Sequence, residues 1–401
     1  MQIFEHARIG TLALPNRIIR SATFEGRCDD NGVPSEAYLH LYENLARMEI
    51  GAIIAGFAFI SMDGKAMQPG QAGIDSDDKI PAYSRVTERI HAAGGRIILQ
   101  IAHTGRQTVP ATTGGPVYGP GVAPSAYFRS RPQRLTLEGI SAIVDAFGHA
   151  ARRAKEAGFD GVQIHAAHGY LIHQFINPAV NDRTDAFGID PITGIGTEFL
   201  RRVIVMIREN CGSEYPLLIK ISAGDEYRRG ISRDRFCNLV RFIDTQLIDA
   251  IEISWGTMDH SLNIFRGTGI PVDLVLDHNP RYRNHNPLAR MAFKLLALPI
   301  LRQTIKPFTP AYNLPFAKTA KENTHIPVIC VGGFRSMAEI TKAIQEQKTD
   351  FVSLCRPFIR EPDIAMRWKS NPEYCSTCTS CNRCVIMCDS GQPTRCYRKS
   401  S

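Results

Sequence analysis

The sequence predicts an α/β protein built as one (β/α)8 barrel, the TIM-barrel architecture, with a Cys-rich tail after it. Three observations carry that prediction. Eight short, β-rich apolar runs recur along the 401 residues, at 17–22, 52–60, 96–101, 161–166, 217–222, 250–254, 327–332 and 351–355. Continuous apolar runs of that length suit strands buried on both faces, as parallel sheets require. Helical periodicity fills the segments between them, and eight such β-then-α units point to a closed barrel. No run is followed by G-x-G-x-x-G, the motif by which an open doubly wound sheet usually announces its dinucleotide site.

The helical segments 35–48, 80–93, 136–157, 198–209 and 232–247 each gather apolar side chains on one face. In the longest, Ile140, Ile143, Val144, Phe147, Ala151 and Ala154 share a face, and Thr136 is positioned to cap the N-terminus. Two segments interrupt the alternation. Residues 104–132, rich in Gly, Pro and Ser, read as a long loop. Residues 255–306 read as a longer irregular insertion in the region that should roof the barrel mouth. Within it Arg281, Arg283, Arg290, Lys294, Arg302 and Lys306 occur without an acid from 281 to 306, the usual pattern of a solvated helix face. After Trp368 the alternation stops. The expected division is a barrel at 1–370 and a tail at 371–401.

Composition narrows the class. With 44% hydrophobic and 21% charged residues, 32 Gly and 24 Pro, the chain is neither disordered nor fibrous. The longest apolar stretch, 50–60, is too short to span a bilayer. The N-terminus MQIFEHARIG lacks a basic region followed by an apolar core, so no secretory signal is expected. Lys and Arg exceed Asp and Glu by 47 to 39, a formal +8; that excess favours anionic ligands without requiring nucleic acid. The expected setting is cytoplasmic, with a small-molecule partner and neither nucleic acid nor membrane; monomer and homo-oligomer both stay open. Of the 11 Cys, six crowd into the tail at Cys375, Cys378, Cys381, Cys384, Cys388 and Cys396. An odd total without an export signal argues against a disulfide framework, and the tail spacing points to metal or cluster ligation.

Catalytic groups of a barrel sit where strands end at its C-terminal face. The fourth run ends in His165-Ala-Ala-His168-Gly-Tyr170. Two imidazoles can donate to a developing oxyanion and a phenol can deliver a proton; zinc ligation and purely structural histidines are the alternatives. The third run holds Gln100, which can bond a planar heterocycle or be a satisfied core amide. Lys220 lies inside the fifth run and needs a partner, for which a ligand gaining negative charge is one candidate. The seventh and eighth runs end in Val331-Gly332-Gly333 and Cys355-Arg356-Pro357. Glycines that let backbone approach closely, with an Arg fork, suit a phosphate in the loops where barrels often hold one.

These residues resemble the signature of the old yellow enzyme family of FMN-dependent NAD(P)H oxidoreductases. The resemblance runs through Asn16-Arg17-Ile18, Gln100-Ile-Ala-His103-Thr-Gly-Arg106, His165-Ala-Ala-His168-Gly-Tyr170 with Gln174 and Asn177, Asn181-Asp-Arg183-Thr184-Asp185, Val331-Gly-Gly333 and Cys355-Arg356-Pro357. It covers residues 1–365. It implies FMN on the C-terminal face, with Ser21, Ala22, Thr23 and Gly56 lining the flavin and Gln100 at its pyrimidine edge. Lys220 would lie near N1 and O2, and Gly332, Gly333, Cys355 and Arg356 around the phosphate. His165 and His168 would bind the substrate's carbonyl oxygen and Tyr170 would donate the proton. The chain departs from the family at Ala22-Thr23-Phe24, where Pro-Met and a small redox-tuning residue are usual. It also has Lys220 for a usual Arg, Cys355 for a usual Gly and Gln163 for a common Glu.

The tail resembles the dienoyl-CoA reductase and trimethylamine dehydrogenase branch, whose [4Fe–4S] cluster is held by C-x2-C-x3-C-x11-C. Here Cys378-x2-Cys381-x2-Cys384-x11-Cys396 matches two of the three gaps, and Cys381-x2-Cys384-x3-Cys388 offers a second register. An iron–sulfur cluster, a tetrahedral zinc or free thiols are the three readings. No second dinucleotide domain is expected after the barrel, so reduction would come from NAD(P)H docking over the flavin. The resemblance implies reduction of an activated C=C bond in an enone or related carbonyl compound. The alternatives are amine or alcohol dehydrogenation with electrons leaving through the tail cluster, and a non-catalytic flavin or metal carrier.

Overall fold

The computed structural model describes residues 2–398; residue 1 and residues 399–401, the outer ends of the expected barrel and tail, lie outside the described residues. All eight apolar runs become strands: β1 Ile18–Arg20, β2 Ala52–Phe59, β3 Ile97–Ala102, β4 Gly161–Ala166, β5 Leu217–Ser222, β6 Ala250–Ser254, β7 Val328–Val331 and β8 Phe351–Leu354. They pair in parallel, each with its chain neighbours, and β8 closes on β1. The protein is a (β/α)8 barrel.

Alternation along each strand stratifies the barrel. Outward residues such as Val162, Ile164, Ile219, Ile221, Ile251 and Ile253 pack against the ring of helices. Inward residues at the strand starts form a second, smaller core of Ile19, Ile54, Ile98, Leu218, Ala250, Ile329 and Phe351. It is plugged from below by Ile9, Leu12 and Leu14 of an N-terminal hairpin, Ala7–Ile9 with Leu12–Leu14. One layer further up, the inward positions turn polar: Gln100, Gln163, Lys220, Glu252 and Ser353, all buried. Functional side chains therefore stand on strand backbone that apolar packing holds on both faces.

The expected helical segments form and start where side chains cap them. Thr136 accepts from Gly139 N–H at the head of Leu137–Glu156, and Ser35 and Ser232 do the same for Glu36–Ala46 and Arg233–Asp244. Ser336 and Glu339 form a capping box at Met337–Gln345. Residues 104–132 remain mostly irregular. Residues 255–306, by contrast, are largely helical: Ser261–Ile264, Val272–His278, Pro287–Ala292, a π turn at Phe293–Ala297 and Leu298–Thr304. The pieces before 279 are shorter than the window over which helical period is visible, while the last three join into one run, Pro287–Thr304, interrupted by the π turn.

The tail crosses the C-terminal face of the barrel. Glu361 anchors its start, accepting from Ser376 Oγ (2.5 Å), Thr377 N–H (3.0 Å) and Thr377 Oγ1 (3.0 Å), and from Tyr374. Further on, Arg335 donates to Ser380 Oγ (2.6 Å) and Arg356 to Asn382 Oδ1 (2.8 Å). Thr394 N–H reaches Glu25 O across the loop after β1. No helix among the described residues is long and apolar enough to cross a membrane.

Candidate active site

A cavity of about 660 Å³ opens at the C-terminal face, a size suited to a cofactor and a small substrate. Its floor is the polar layer. Parallel register sets Gln100 beside Gln163, His165 beside Lys220, and Lys220 beside Glu252. Gln100 Nε2 donates to Gln163 Oε1 (2.6 Å), and Gln163 Nε2 donates to Glu252 Oε2 (2.9 Å). Ser21 and Ser353 hydroxyls donate to Glu252 Oε1 at 2.6 and 2.7 Å. Lys220 Nζ donates to Ser21 Oγ (2.9 Å) and lies 3.3 Å from Glu252 Oε2. Burial alone would raise the Glu252 pKa; Lys220 and the three side-chain donors hold it below the ordinary carboxylate value. Lys220 thus has its partner inside the protein, whereas the sequence suggested a ligand.

The chain turns sharply at the end of β4. His168 sits at φ +59° and Gly169 at +78°; the left-handed pair reverses the chain, and the His165 and His168 rings line the cavity. Gly169 N–H donates to His173 Nδ1 (2.7 Å) and Gln174 Nε2 to Gly169 O (2.7 Å), which locks the turn. The His165 ring lies 5.1 Å from His168 and 4.6 Å from Tyr170, centroid to centroid. Phe57 closes the group, edge-on to Tyr170 at 5.4 Å. Ser254 Oγ lies 2.8 Å from His168 Nε2, and Ser222 Oγ accepts from His168 N–H. Burial, then the Lys220 charge and neighbouring imidazoles, push both histidines well below their ordinary pKa. Both rings are neutral at neutral pH. Burial also raises the Tyr170 phenol, so it keeps its proton.

The other end of the cavity is cationic. Gly332 and Gly333, at φ +124° and +89°, Arg335 and Arg356 line it. Behind them Arg266 lies over the Tyr312 ring and Lys306 over Trp255. Burial lowers the pKa of Arg266, Arg335 and Lys306; Glu226 opposes that at Arg266 and Lys306 and Glu339 at Arg335, but none of the three makes an ion pair with a carboxylate among the described residues. Cations gathered around glycine backbone suit a phosphate. At the floor, Gln100 keeps its carbonyl oxygen free of the Gln163 bond, and Lys220 keeps a third N–H. That acceptor–donor pair fits a flavin pyrimidine edge, so the residues present fit FMN.

Of the residues singled out in the sequence, the cavity gathers Ala22, Thr23, Gln100, His165, His168, Tyr170, Lys220, Gly332, Gly333, Cys355 and Arg356. Ser21 and Gly56 stand behind its wall. The Ser21 hydroxyl is spent on Glu252 and Lys220, and Gly56 N–H donates to Glu25 Oε1 (3.1 Å) and the Tyr42 oxygen (2.9 Å). Sequence reading missed Glu252 and Ser254, whose signal was only a polar residue at an inward position of an apolar strand. It also missed the buried Arg106–Asp259 pair at 2.9 Å. In the tail, Cys378, Cys381, Cys384 and Cys396 line one small pocket, with Arg360 3.8 Å from the Cys396 sulfur. Cys378, Cys384 and Cys388 also border the main cavity, and Cys388 bonds Cys384 O and Thr394 Oγ1. Among the described residues no three His, Cys, Asp or Glu side chains converge closely enough to hold a metal. Burial raises the Cys384 and Cys388 thiols to about 12.

A sequence model of the NADH:flavin oxidoreductase / NADH oxidase family matches residues 2–262. A metal reductase of Desulforamulus reducens is 30% identical over 386 residues, 95% of this chain and 51% of that protein. An NADPH dehydrogenase of Bacillus subtilis is 31% identical over 366 residues, 91% of this chain and 93% of that protein. The solved structure of a 2-naphthoyl-CoA reductase in complex with 2-naphthoyl-CoA superposes with a TM-score of 0.81 at 23% identity, over 97% of this chain and 56% of that one. The chain thus spans about half the length of the metal reductase and of the naphthoyl-CoA reductase.

Proposed function

The chain belongs to the NADH:flavin oxidoreductase / NADH oxidase family, and on that premise we propose that it reduces an activated C=C bond of an enone or related carbonyl compound with NAD(P)H and FMN. One observation carries the reading: His165, His168 and Tyr170 converge on a cavity whose far ends suit a flavin pyrimidine and a phosphate. FMN, when bound, supplies two-electron hydride chemistry at its N5. Gln100 and Lys220 would hold its pyrimidine edge, Ala22, Thr23 and Cys355 would border it, and Gly332, Gly333 and Arg356 would hold its phosphate. Ser21 and Gly56 act from behind, Ser21 by fixing Lys220.

The protein supplies the rest. Ala167 N–H donates to His165 Nδ1 (3.3 Å), so the ring proton sits on Nε2. Where Ser254 Oγ donates to His168 Nε2 across their 2.8 Å contact, the His168 proton sits on Nδ1. Two neutral N–H donors then serve a substrate carbonyl oxygen as it gains negative charge. Tyr170, still protonated, delivers a proton to the α-carbon as the β-carbon takes the hydride. Anaerobic single-turnover mixing tests this. Flavin bleaching by NADH or NADPH, then reoxidation by an enone, is expected. Bleaching by an amine or alcohol instead would mean dehydrogenation, and no bleaching by any donor would overturn both.

For the tail we propose a [4Fe–4S] cluster held by Cys378, Cys381, Cys384 and Cys396. The support is that these four residues line one small pocket that Cys388 does not line, although Cys378 and Cys384 also border the main cavity with Cys388. The donor set fits the cluster, and closing four thiols on iron requires the 378–384 loop to tighten and the thiols to lose protons. Anaerobically purified protein should contain about four irons per chain, lost on Cys381→Ser and kept on Cys388→Ser. Zinc, or no metal, would reject the cluster.

A further inference from the structure

The insertion that roofs the cavity has two apolar faces. Phe293, Ala297, Ile300, Leu301 and Thr304 line the cavity. The opposite face is bare: Leu288, Met291, Leu295 and Leu296 are 53–72% exposed, and Ile300, on the seam between the two faces, is 66% exposed. Twelve large apolar side chains are exposed among the described residues, and these five fall within thirteen consecutive positions. Spacings of three, four, one and four residues keep them along one side of the helical run Pro287–Thr304. Scattered apolar residues on a surface need no explanation, but a contiguous stripe does.

The charges beside the stripe have one sign. Residues 270–306 hold six Lys and Arg against Asp273 and Asp277. The two acids pair with Lys294 and Arg290 (3.1 and 2.7 Å), which leaves Arg283 and Arg302 without a carboxylate partner here, while Arg281 and Lys306 stand on the cavity side. A bare Leu-rich face rimmed by cations is the composition of a helix that lies in a bilayer interface. Anionic headgroups complement the rim, and the acyl boundary takes the leucines.

We propose that the outer face of the 287–304 helix docks this protein on an anionic lipid surface. The contact is peripheral; the leucines enter the headgroup–acyl boundary and the barrel stays in water. One helix thickness, about 10 Å, then separates the bilayer from the cavity. The docking does not depend on the reaction assigned to that cavity.

Vesicle sedimentation with the full, FMN-loaded chain tests the proposal. The protein should pellet with phosphatidylcholine vesicles containing phosphatidylglycerol. It should bind pure phosphatidylcholine about tenfold or more weakly, and lose binding as salt rises. Leu288→Gln/Leu295→Gln/Leu296→Gln changes exposed side chains outside the cavity lining. It should weaken vesicle binding about a hundredfold while FMN content and the melting temperature stay unchanged. The proposal falls if the native chain ignores anionic vesicles, or if the triple variant binds them as well as the native chain does. It falls equally if the native chain is a dimer that the triple variant dissolves, with no vesicle binding by either, because a second copy would then be the occupant.

Discussion

The barrel floor and the cysteine tail hold their chemistry in opposite ways. On the floor, Gln100, Gln163, His165, Lys220 and Glu252 stand on neighbouring parallel strands, and the ladder register alone puts them side by side. In the tail, Cys378 to Cys396 stand on loops and short helical turns. What holds them is a few side-chain anchors: Glu361 on Ser376 and Thr377, Arg335 on Ser380, Arg356 on Asn382. The lesson is about where rigidity comes from. A strand end inherits its position from the whole sheet, whereas a loop thiol inherits it from single hydrogen bonds. Substitutions on the floor should cost the fold or the chemistry outright, and substitutions in the tail should act locally.

Tyr170→Phe sharpens the floor side most. Loss of the proposed proton donor should slow the proposed enone turnover by about 10²–10⁴ and leave carbonyl-ligand binding nearly unchanged, read by titrating a phenolic or enone ligand into oxidised protein. Full turnover in this variant would remove Tyr170 from the chemistry. Glu252→Gln comes next. It leaves Lys220 buried without its carboxylate and should destabilise the barrel by about 3–5 kcal/mol in urea unfolding. Adding Lys220→Met should recover part of that loss, which a merely cavity-filling Glu252 would not allow.

His168→Ala removes one of two oxyanion donors and should slow flavin reoxidation by an enone about 10²–10³-fold. Reoxidation by oxygen, which needs no such donor, is the internal control and should stay constant. On the tail side, Glu361→Gln weakens a set of charge-assisted bonds and should cost about 1–2 kcal/mol. The expected signature is faster proteolysis within 371–398 with an unchanged barrel transition; a barrel transition shifted as far as in Glu252→Gln would break the contrast.

Acid separates the two regions with the smallest effect. His165, His168 and His173 are buried and hold fewer protons than in the unfolded chain. Their contribution to stability is therefore complete above about pH 6.5 and declines as pH falls below it. Glu361 behaves as a carboxylate held below its ordinary value: burial opposes that, but Ser376, Tyr374 and Thr377 outweigh it. Its contribution persists down to about pH 4 and is lost below that. Barrel unfolding midpoints should drop between pH 7.5 and 5.5 while tail proteolysis stays level, and a flat barrel profile would contradict the neutral buried imidazoles.

The barrel was legible because each strand is a short apolar run and each helix a 3.6-residue pattern, both local properties. The strand-end groups were legible for the same reason. A residue at the end of a run in a parallel barrel has to face the C-terminal mouth, so His165, His168, Tyr170, Gln100, Lys220 and Arg356 could be grouped before any coordinates. The helices of 255–306 were not legible, because those before 279 are pieces shorter than a detectable period and the run Pro287–Thr304 carries apolar residues on both faces. Nor was Ser21, whose hydroxyl faces Glu252 across the barrel instead of the cavity.

By itself, then, the sequence determined the architecture, the face that carries the site and most of its side chains, because those follow from periodicity and strand order. Only the tertiary structure decided who partners whom. Glu252 lies 32 positions from Lys220 and 89 from Gln163 in the chain, and the closed ladder alone makes them one hydrogen-bonded unit. Likewise the spacing of six tail cysteines allowed two registers, whereas their surroundings come from the fold: Cys378, Cys381, Cys384 and Cys396 line one small pocket, and Cys378, Cys384 and Cys388 border the main cavity. Contacts between distant segments depend on how the chain closes in space, and no local pattern records that closure.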